Sequence, residues 1–374
     1  MSEGARVECG VERTCRENVL DIQPYVPGKP IDECRRELGI ENFVKLASNE
    51  NAFGASPAAL AAMAAALGEC HMYPDGGSYV LRHALARHLD LSADHFLIGC
   101  GSAEILNMLA ETVLDQGDEL VYGWPSFGTY VFMGKLMRAR SVQVPLKDYT
   151  FDLDAMAEAV GSRTKMVIVC NPNNPTGTVV GAGAVERFLD LMPDEVLVVL
   201  DEAYAEYADG FDYPDSRRFI LEGRNVIALR TFSKAYGLAG TRIGYSIARP
   251  ALTEAVNKVR QPFNVSSIAQ AGALAALGDQ EHLRASVRFS AEGREQLYEA
   301  FSALGLPFVR SWTNFVLVDI GVDAEQAFQE LLLRGVIVRP QGSCGLPTHL
   351  RVTVGTPEEN RTFVSALGAV LGVG

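Results

Sequence analysis

The stretch EVLVVLDEAY, residues 195–204, decides the architecture. Val196 to Leu200 is apolar without alternation, the mark of a strand buried on both faces. It ends abruptly on charge, at Asp201 and Glu202. The same design recurs. HFLIGCGS (95–102), DELVYGWPSF (118–127), KMVIVCNPNNPTG (165–177) and NVIALRTFSK (225–234) each join a short apolar run to a polar or glycine-rich end. Helical spacing fills the intervals, with Ile105, Leu109 and Val113 on one face and Val185, Phe188, Leu189 and Met192 on another. Strands returning roughly every thirty residues with helices between them predict an α/β fold, a mostly parallel sheet flanked by helices.

Past Pro262 the pattern changes. A helical region over 266–304 precedes the shorter strands NFVLVDIG (314–321), GVIVRP (335–340) and LRVTVG (350–355), which predict a smaller α+β domain. The expected organisation is an N-terminal arm and small-domain strand over 1–45, a large ligand-binding domain over 46–265 and a small C-terminal domain over 266–374. The 374 residues, 48% of them hydrophobic, suffice for two cores.

Composition excludes several function classes. A formal net charge of −13 argues against nucleic acid or an anionic membrane as partner. The longest apolar stretch, Ala58 to Leu67, is too short to cross a bilayer, and the polar first twenty residues do not read as a secretory leader. Seven cysteines without a CxxC predict reduced thiols in a cytoplasmic protein. Six scattered histidines without HExxH predict no metal centre.

Ligands of parallel sheets bind beyond the carboxyl ends of the strands. Those ends carry Ser102 with Ala103, then Phe127, Asn174, Asp201 with Tyr204, and finally Thr231, Ser233 and Lys234, with Arg242 beyond. Singly, Ser102 reads as a helix cap, NPNNPTG as a turn and Lys234 as a solvated amine. Together they supply an amine, a carboxylate, a phenol, an amide, an aromatic ring, a phosphate-sized nest and a cation. Pyridoxal 5'-phosphate needs that set: an amine for its aldehyde, a carboxylate for its ring nitrogen, a phenol and an amide for its hydroxyl. A helix N-terminus with hydroxyls and an arginine suits its phosphate. A dry setting beside cations keeps the Lys234 amine available as the neutral base. A dinucleotide fingerprint fails, because Glu104 stands where GCGSAE should carry its third glycine. Arg339 and Arg351 lie on strands joined by QGSCGLPTH (341–349), and are expected to clamp a substrate anion at one end of that pair.

LASNENAFG (46–54), YPDGGSYVLRHALA (73–86), NPNNPTG, DEAYAEY, TFSKAYGLAGTRIGY (231–245), QPFNVSSIAQ (261–270) and LRVTVGTPEEN together resemble fold-type I pyridoxal-phosphate aminotransferases. Within these the chain is similar to the histidinol-phosphate aminotransferase group, from about Tyr25 onward. The resemblance implies that Lys234 is the Schiff-base lysine and proton shuttle, and that Asp201 pairs with the pyridine nitrogen. It implies that Tyr204 and Asn174 hold the ring hydroxyl, that Phe127 stacks on the ring, and that Ser102, Ala103, Thr231, Ser233 and Arg242 hold the phosphate. Tyr73 would reach the phosphate of a neighbouring subunit in a homodimer with shared active sites. Tyr25, Asn49, Arg339 and Arg351 would line the substrate pocket. The implied reaction is ping-pong transamination between histidinol phosphate and 2-oxoglutarate, a step of histidine biosynthesis. Gly342-Ser343-Cys344-Gly345 lacks the aromatic residue common there, which leaves an aromatic amino-acid (phenylalanine or tyrosine) aminotransferase as the alternative. Two further readings are a phospho-amino-acid decarboxylase, marked by carbon dioxide release, and a non-catalytic regulator, which would show no amine exchange.

Overall fold

The computed structural model describes residue 10, residues 14–22 and residues 31–373. Among the described residues thirteen strands run in chain order: β1 (Val44–Lys45), β2 (Phe96–Gly99), β3 (Glu119–Trp124), β4 (Arg140–Pro145), β5 (Thr164–Cys170), β6 (Leu197–Asp201), β7 (Val226–Thr231), β8 (Gly244–Ala248), β9 (Phe308–Val309), β10 (Phe315–Asp319), β11 (Val336–Ile337), β12 (Arg339–Gln341) and β13 (Leu346–Thr353). Seven of them form one sheet in the order β2-β8-β7-β6-β5-β3-β4. β4, β3, β5, β6 and β7 are parallel neighbours, so their carboxyl ends share one edge. β6 is buried at every position, as expected of a run apolar on both faces. Asp201 closes it in register with Cys170 and Leu229 of its neighbours.

Two strands depart from the pattern read in the sequence. β8 runs antiparallel to both β7 and β2. Only residues 232–243 join it to β7, without the crossover helix that a parallel return requires. β4 is the edge strand, largely exposed and polar, so a search for apolar runs passes over it.

The helical region expected over 266–304 is two helices, Ser267–Gly278 and Gln280–Ala303, broken at Asp279. Asp279 caps the second helix through the His282 amide (3.1 Å) and accepts the Ser56 hydroxyl (2.5 Å). The first helix packs with its Ala269, Ala273, Ala276 and Leu277 in the core of the seven-stranded sheet, although the sequence reading assigns it to the small domain. It lies so close to helix Pro57–Ala66 that a Cβ on Gly272 would meet Met63 Cγ at 2.7 Å. A second core, built around Leu297, Phe301, Val316, Val352 and Phe363, belongs to the four-stranded antiparallel sheet β12-β13-β10-β9 and its helices. β1 pairs in parallel with β11, so this strand lies beside the small domain, whereas Asn18 donates to the Lys135 and Leu136 carbonyls of the large one.

Candidate active site

The shared strand edge opens into a cavity of about 310 Å³. At one end, β2 runs into helix Ser102–Val113 through Gly101, whose φ of 76° favours glycine. A Cβ there would lie 2.5 Å from Arg242 Nη2, and one on Gly244 would lie 2.7 Å from the Ser102 amide. These two glycines let a helix N-terminus, an arginine and β8 converge. The first helical amides have no intrahelical acceptor and face an anion-sized space. Ser102 is the first helical residue and makes no side-chain cap; Glu104 reaches back to the Cys100 amide (2.6 Å) and accepts from Asn264 (2.6 Å). That double duty explains a glutamate where a dinucleotide fold would carry glycine. Thr231 Oγ1 receives the Ser233 amide (3.1 Å), and Arg242 Nη1 donates to Ser233 Oγ (3.2 Å). Ser102, Ala103, Thr231, Ser233 and Arg242 all line the cavity.

At the other end Asp201 is 3% exposed. Its Oδ2 accepts the Tyr130 hydroxyl at 2.7 Å and its Oδ1 the Ala203 amide at 3.3 Å. Burial pushes its carboxyl up, against those hydrogen bonds and the attraction of Lys234. Lys234 follows β7 and donates to the Asn49 carbonyl at 3.3 Å, with its Nζ 5.7 Å from the centre of the Tyr204 ring. Burial, then the charges of Arg351 and Arg242, lower its ammonium to about 8. Burial holds the Tyr204 phenol far above its ordinary range, so it stays neutral and accepts from Asn49 Nδ2 at 2.8 Å.

NPNNPTG is more than a turn. Asn171 staples the loop by donating to the Val180 carbonyl (3.0 Å) and accepting its amide (2.9 Å). Asn173 donates to Thr176 (2.8 Å) and Pro125 (3.1 Å) and accepts Ser126 (2.8 Å). Asn174 is left to face the cavity, where its Oδ1 takes Arg351 Nη1 at 2.7 Å. Gly177, at φ 76°, sits where any Cβ would strike Ser311, and its carbonyl accepts the Trp312 amide at 2.7 Å. The loop therefore docks on the small domain.

Twelve of the fifteen expected site residues thus line one cavity: besides those at the phosphate end, Asn49, Phe127, Asn174, Asp201, Tyr204, Lys234 and Arg351. Three do not. Tyr25 lies outside the described residues. Tyr73 is 83% exposed and stacks on Phe263 at 4.7 Å. Arg339 is opposite Arg351 in register on β12 and β13 but is not among the residues lining the cavity. Sequence reasoning missed Tyr130 and Cys170. Cys170 closes β5 beside Asp201, and burial pushes its thiol up to about 12, so it remains neutral. Tyr130 had a readable signal, since it follows Phe127 at helical spacing.

An amine and a carboxylate on one cavity, with an anion cradle beside them, are the groups that an enzyme moving amino groups requires. The chain belongs to the class I and II aminotransferases, whose family model matches residues 41–367. It is 49% identical to the histidinol-phosphate aminotransferase of Moorella thermoacetica over 358 residues, covering 96% of this chain and 93% of that one. It is 49% identical to the histidinol-phosphate aminotransferase of Symbiobacterium thermophilum over 359 residues, covering 96% and 99%. Its fold matches the crystal structure of histidinol-phosphate aminotransferase from Sinorhizobium meliloti in complex with pyridoxal-5'-phosphate, with a TM-score of 0.89 at 33% identity over 95% of this chain and 97% of that one.

Proposed function

We propose that this aminotransferase binds pyridoxal 5'-phosphate and exchanges an amino group between histidinol phosphate and 2-oxoglutarate. The observation that carries the reading is the placement of Lys234 and Asp201 on the cavity whose far end is the cradle of Gly101, Ser102 and Arg242. The residues fit the cofactor. Asp201 has lone pairs beyond those used by Tyr130 and Ala203, the helix N-terminus offers free amides, and the two glycines let Arg242 and that N-terminus approach each other. When bound, pyridoxal phosphate supplies an aldehyde that condenses with amines and a protonated ring that accepts an electron pair.

The protein's own groups do the rest. Asp201 would hold the proton on the ring nitrogen. Phe127 would cover the ring face, while Asn174 and Tyr204 would hold the ring hydroxyl. Ser102, Ala103, Thr231, Ser233 and Arg242 would hold the phosphate. Lys234 Nζ takes the α-proton of the amino donor and returns it, a task suited to an amine whose ammonium is lowered to about 8. Arg351 binds the substrate anion, with Arg339 opposite it in register as its neighbour, and Asn49 fixes the wall between them and Lys234. Relatives at 49% identity bear the histidinol-phosphate name, which supports this donor over an aromatic amino acid.

A half-reaction screen tests the substrate. Cofactor-loaded protein mixed with histidinol phosphate should convert the cofactor's absorbance to that of its amine form at least tenfold faster, per concentration, than with phenylalanine or tyrosine. Preference for either aromatic amino acid would overturn the assignment.

The working unit in this reading is a homodimer in the cytoplasm. Tyr73, its neighbour Met72, and Tyr79 and Val80 of the following helix are 83%, 56%, 63% and 58% exposed, apolar surface available to a second copy. There Tyr73 would serve the partner's phosphate. Sedimentation as a monomer at micromolar concentration would end that part. Among the described residues no helix is long and apolar enough to cross a membrane, and Cys15, Cys34, Cys70, Cys100, Cys170 and Cys344 are free thiols, which suits a reducing compartment.

A further inference from the structure

One buried group at the site has no part in the chemistry described above. Tyr130 lies on helix Thr129–Met137 and is fully buried. Its ring meets Tyr122 and Phe127 edge-on, with centroids 5.7 and 5.8 Å away. A phenylalanine would fill that space equally well. The hydroxyl is instead aimed at the Asp201 carboxylate, 2.7 Å from Oδ2. The adjacent buried phenol, Tyr122, points elsewhere and accepts from Gln143 at 3.2 Å.

We propose that Tyr130 is the positioning residue of the site: its hydroxyl fixes the Asp201 carboxylate, and keeps it ionised, at the orientation that receives the ring nitrogen of pyridoxal phosphate. The inference rests on the cofactor reading above. Asp201 closes a strand and could rotate about its side-chain bonds. Tyr130 pins one oxygen and the Ala203 amide pins the other, leaving on each a lone pair for the cavity. A carboxylate removed from water tends to take up a proton, and a short hydrogen bond from a neutral phenol opposes this. The titratable groups around Asp201 are Tyr130 from its helix, Cys170 from β5, Tyr204 and Lys234. Cys170 stays a neutral thiol and donates to the Pro172 carbonyl at 3.6 Å. Tyr204 is neutral and tied to Asn49. Lys234 loses its charge in its working form. Tyr130 is therefore the side chain that holds the carboxylate throughout the cycle. It also shares a helical turn with Phe127, since its amide donates to the Phe127 carbonyl at 3.1 Å. One turn thus sets both the ring that covers the cofactor's face and the clamp on its counter-ion.

The test is Tyr130→Phe, with Tyr122→Phe as the neighbouring control. Two readouts go beyond turnover: the cofactor dissociation constant by equilibrium dialysis, and the pH of the acid transition in the bound cofactor's absorbance. Losing a hydrogen bond to a charged group should weaken cofactor binding roughly 10- to 100-fold. The acid transition should move up by about one pH unit, because the unclamped carboxylate takes a proton more readily. kcat should fall while KM for the amino donor stays within twofold. Tyr122→Phe should move none of these. In an Asp201→Asn background the Tyr130→Phe change should alter cofactor affinity less than twofold, which separates the clamp from any loss of packing. Unchanged affinity and an unmoved transition in Tyr130→Phe would overturn the inference, as would equal shifts in Tyr122→Phe. Wild-type protein that binds no cofactor at all would overturn the reading beneath it instead.

Discussion

Lys234→Ala is expected to fold, to bind pyridoxal phosphate without covalent attachment, and to lose turnover by at least about 10⁴-fold. The variant removes the group that moves the α-proton, and positioned proton transfer alone contributes roughly 10²- to 10⁴-fold. It also removes the amine that the cofactor aldehyde captures, so the two losses compound. Folding should survive, since Lys234 donates only to the Asn49 carbonyl, which Asn314 Nδ2 also reaches at 3.0 Å. Single-turnover spectra with histidinol phosphate measure the loss. The wild type provides a pH signature for the same group. With its ammonium lowered to about 8, the neutral fraction of Lys234 grows about tenfold per pH unit below that value and levels above it. Covalent cofactor capture followed by stopped-flow absorbance should trace that curve, and the variant should show none. A variant with near wild-type turnover would remove Lys234 from the mechanism.

Asp201→Asn should lower the half-reaction rate on the order of 10²- to 10³-fold or more, the range found when one main electrostatic stabiliser is lost. Asparagine keeps the volume, and with its Oδ1 accepting the Ala203 amide its Nδ2 can donate to the Tyr130 oxygen, so the core of β5, β6 and β7 should stand. What it cannot do is carry the negative charge that keeps the ring nitrogen protonated. Asp201→Ala should be worse in a second way. It strands the Tyr130 hydroxyl in a fully buried site, at a cost of about 1–3 kcal/mol in stability. Comparing the two variants by thermal melting and by rate separates charge from scaffolding. A rate within threefold of wild type for Asp201→Asn would place the ring nitrogen elsewhere.

The sites most legible in the sequence are those set by local pattern. β3, β5, β6 and β7 are continuous apolar runs, and Asp201 and Lys234 are the chemistry that follows two of them. A sheet with parallel strands gathers such ends at one edge, so their meeting could be inferred without coordinates. β8 was less legible because its direction is fixed by the short loop before it rather than by its own residues. The break at Asp279 was legible only as an aspartate cap inside an otherwise unbroken helical pattern. Contacts between distant segments left no local mark. Asn49 meets Thr353 through its amide at 2.9 Å, and nothing at either position announces the other. Tyr130 reads as a core aromatic until the carboxylate it touches is seen. The arginines show the same limit: the linker 341–349 brought Arg339 and Arg351 near one end of their strands, but the structure puts only Arg351, bound to Asn174, among the residues lining the cavity.

Asn49 ties the two halves of the molecule to the reactive amine. Its carbonyl receives both Lys234 Nζ and Asn314 Nδ2, and its amide is held by Thr353 of β13. The place of the reactive amine is therefore set by both lobes at once, and a change that loosens Asn314 or Thr353 should be felt at Lys234 although neither touches it.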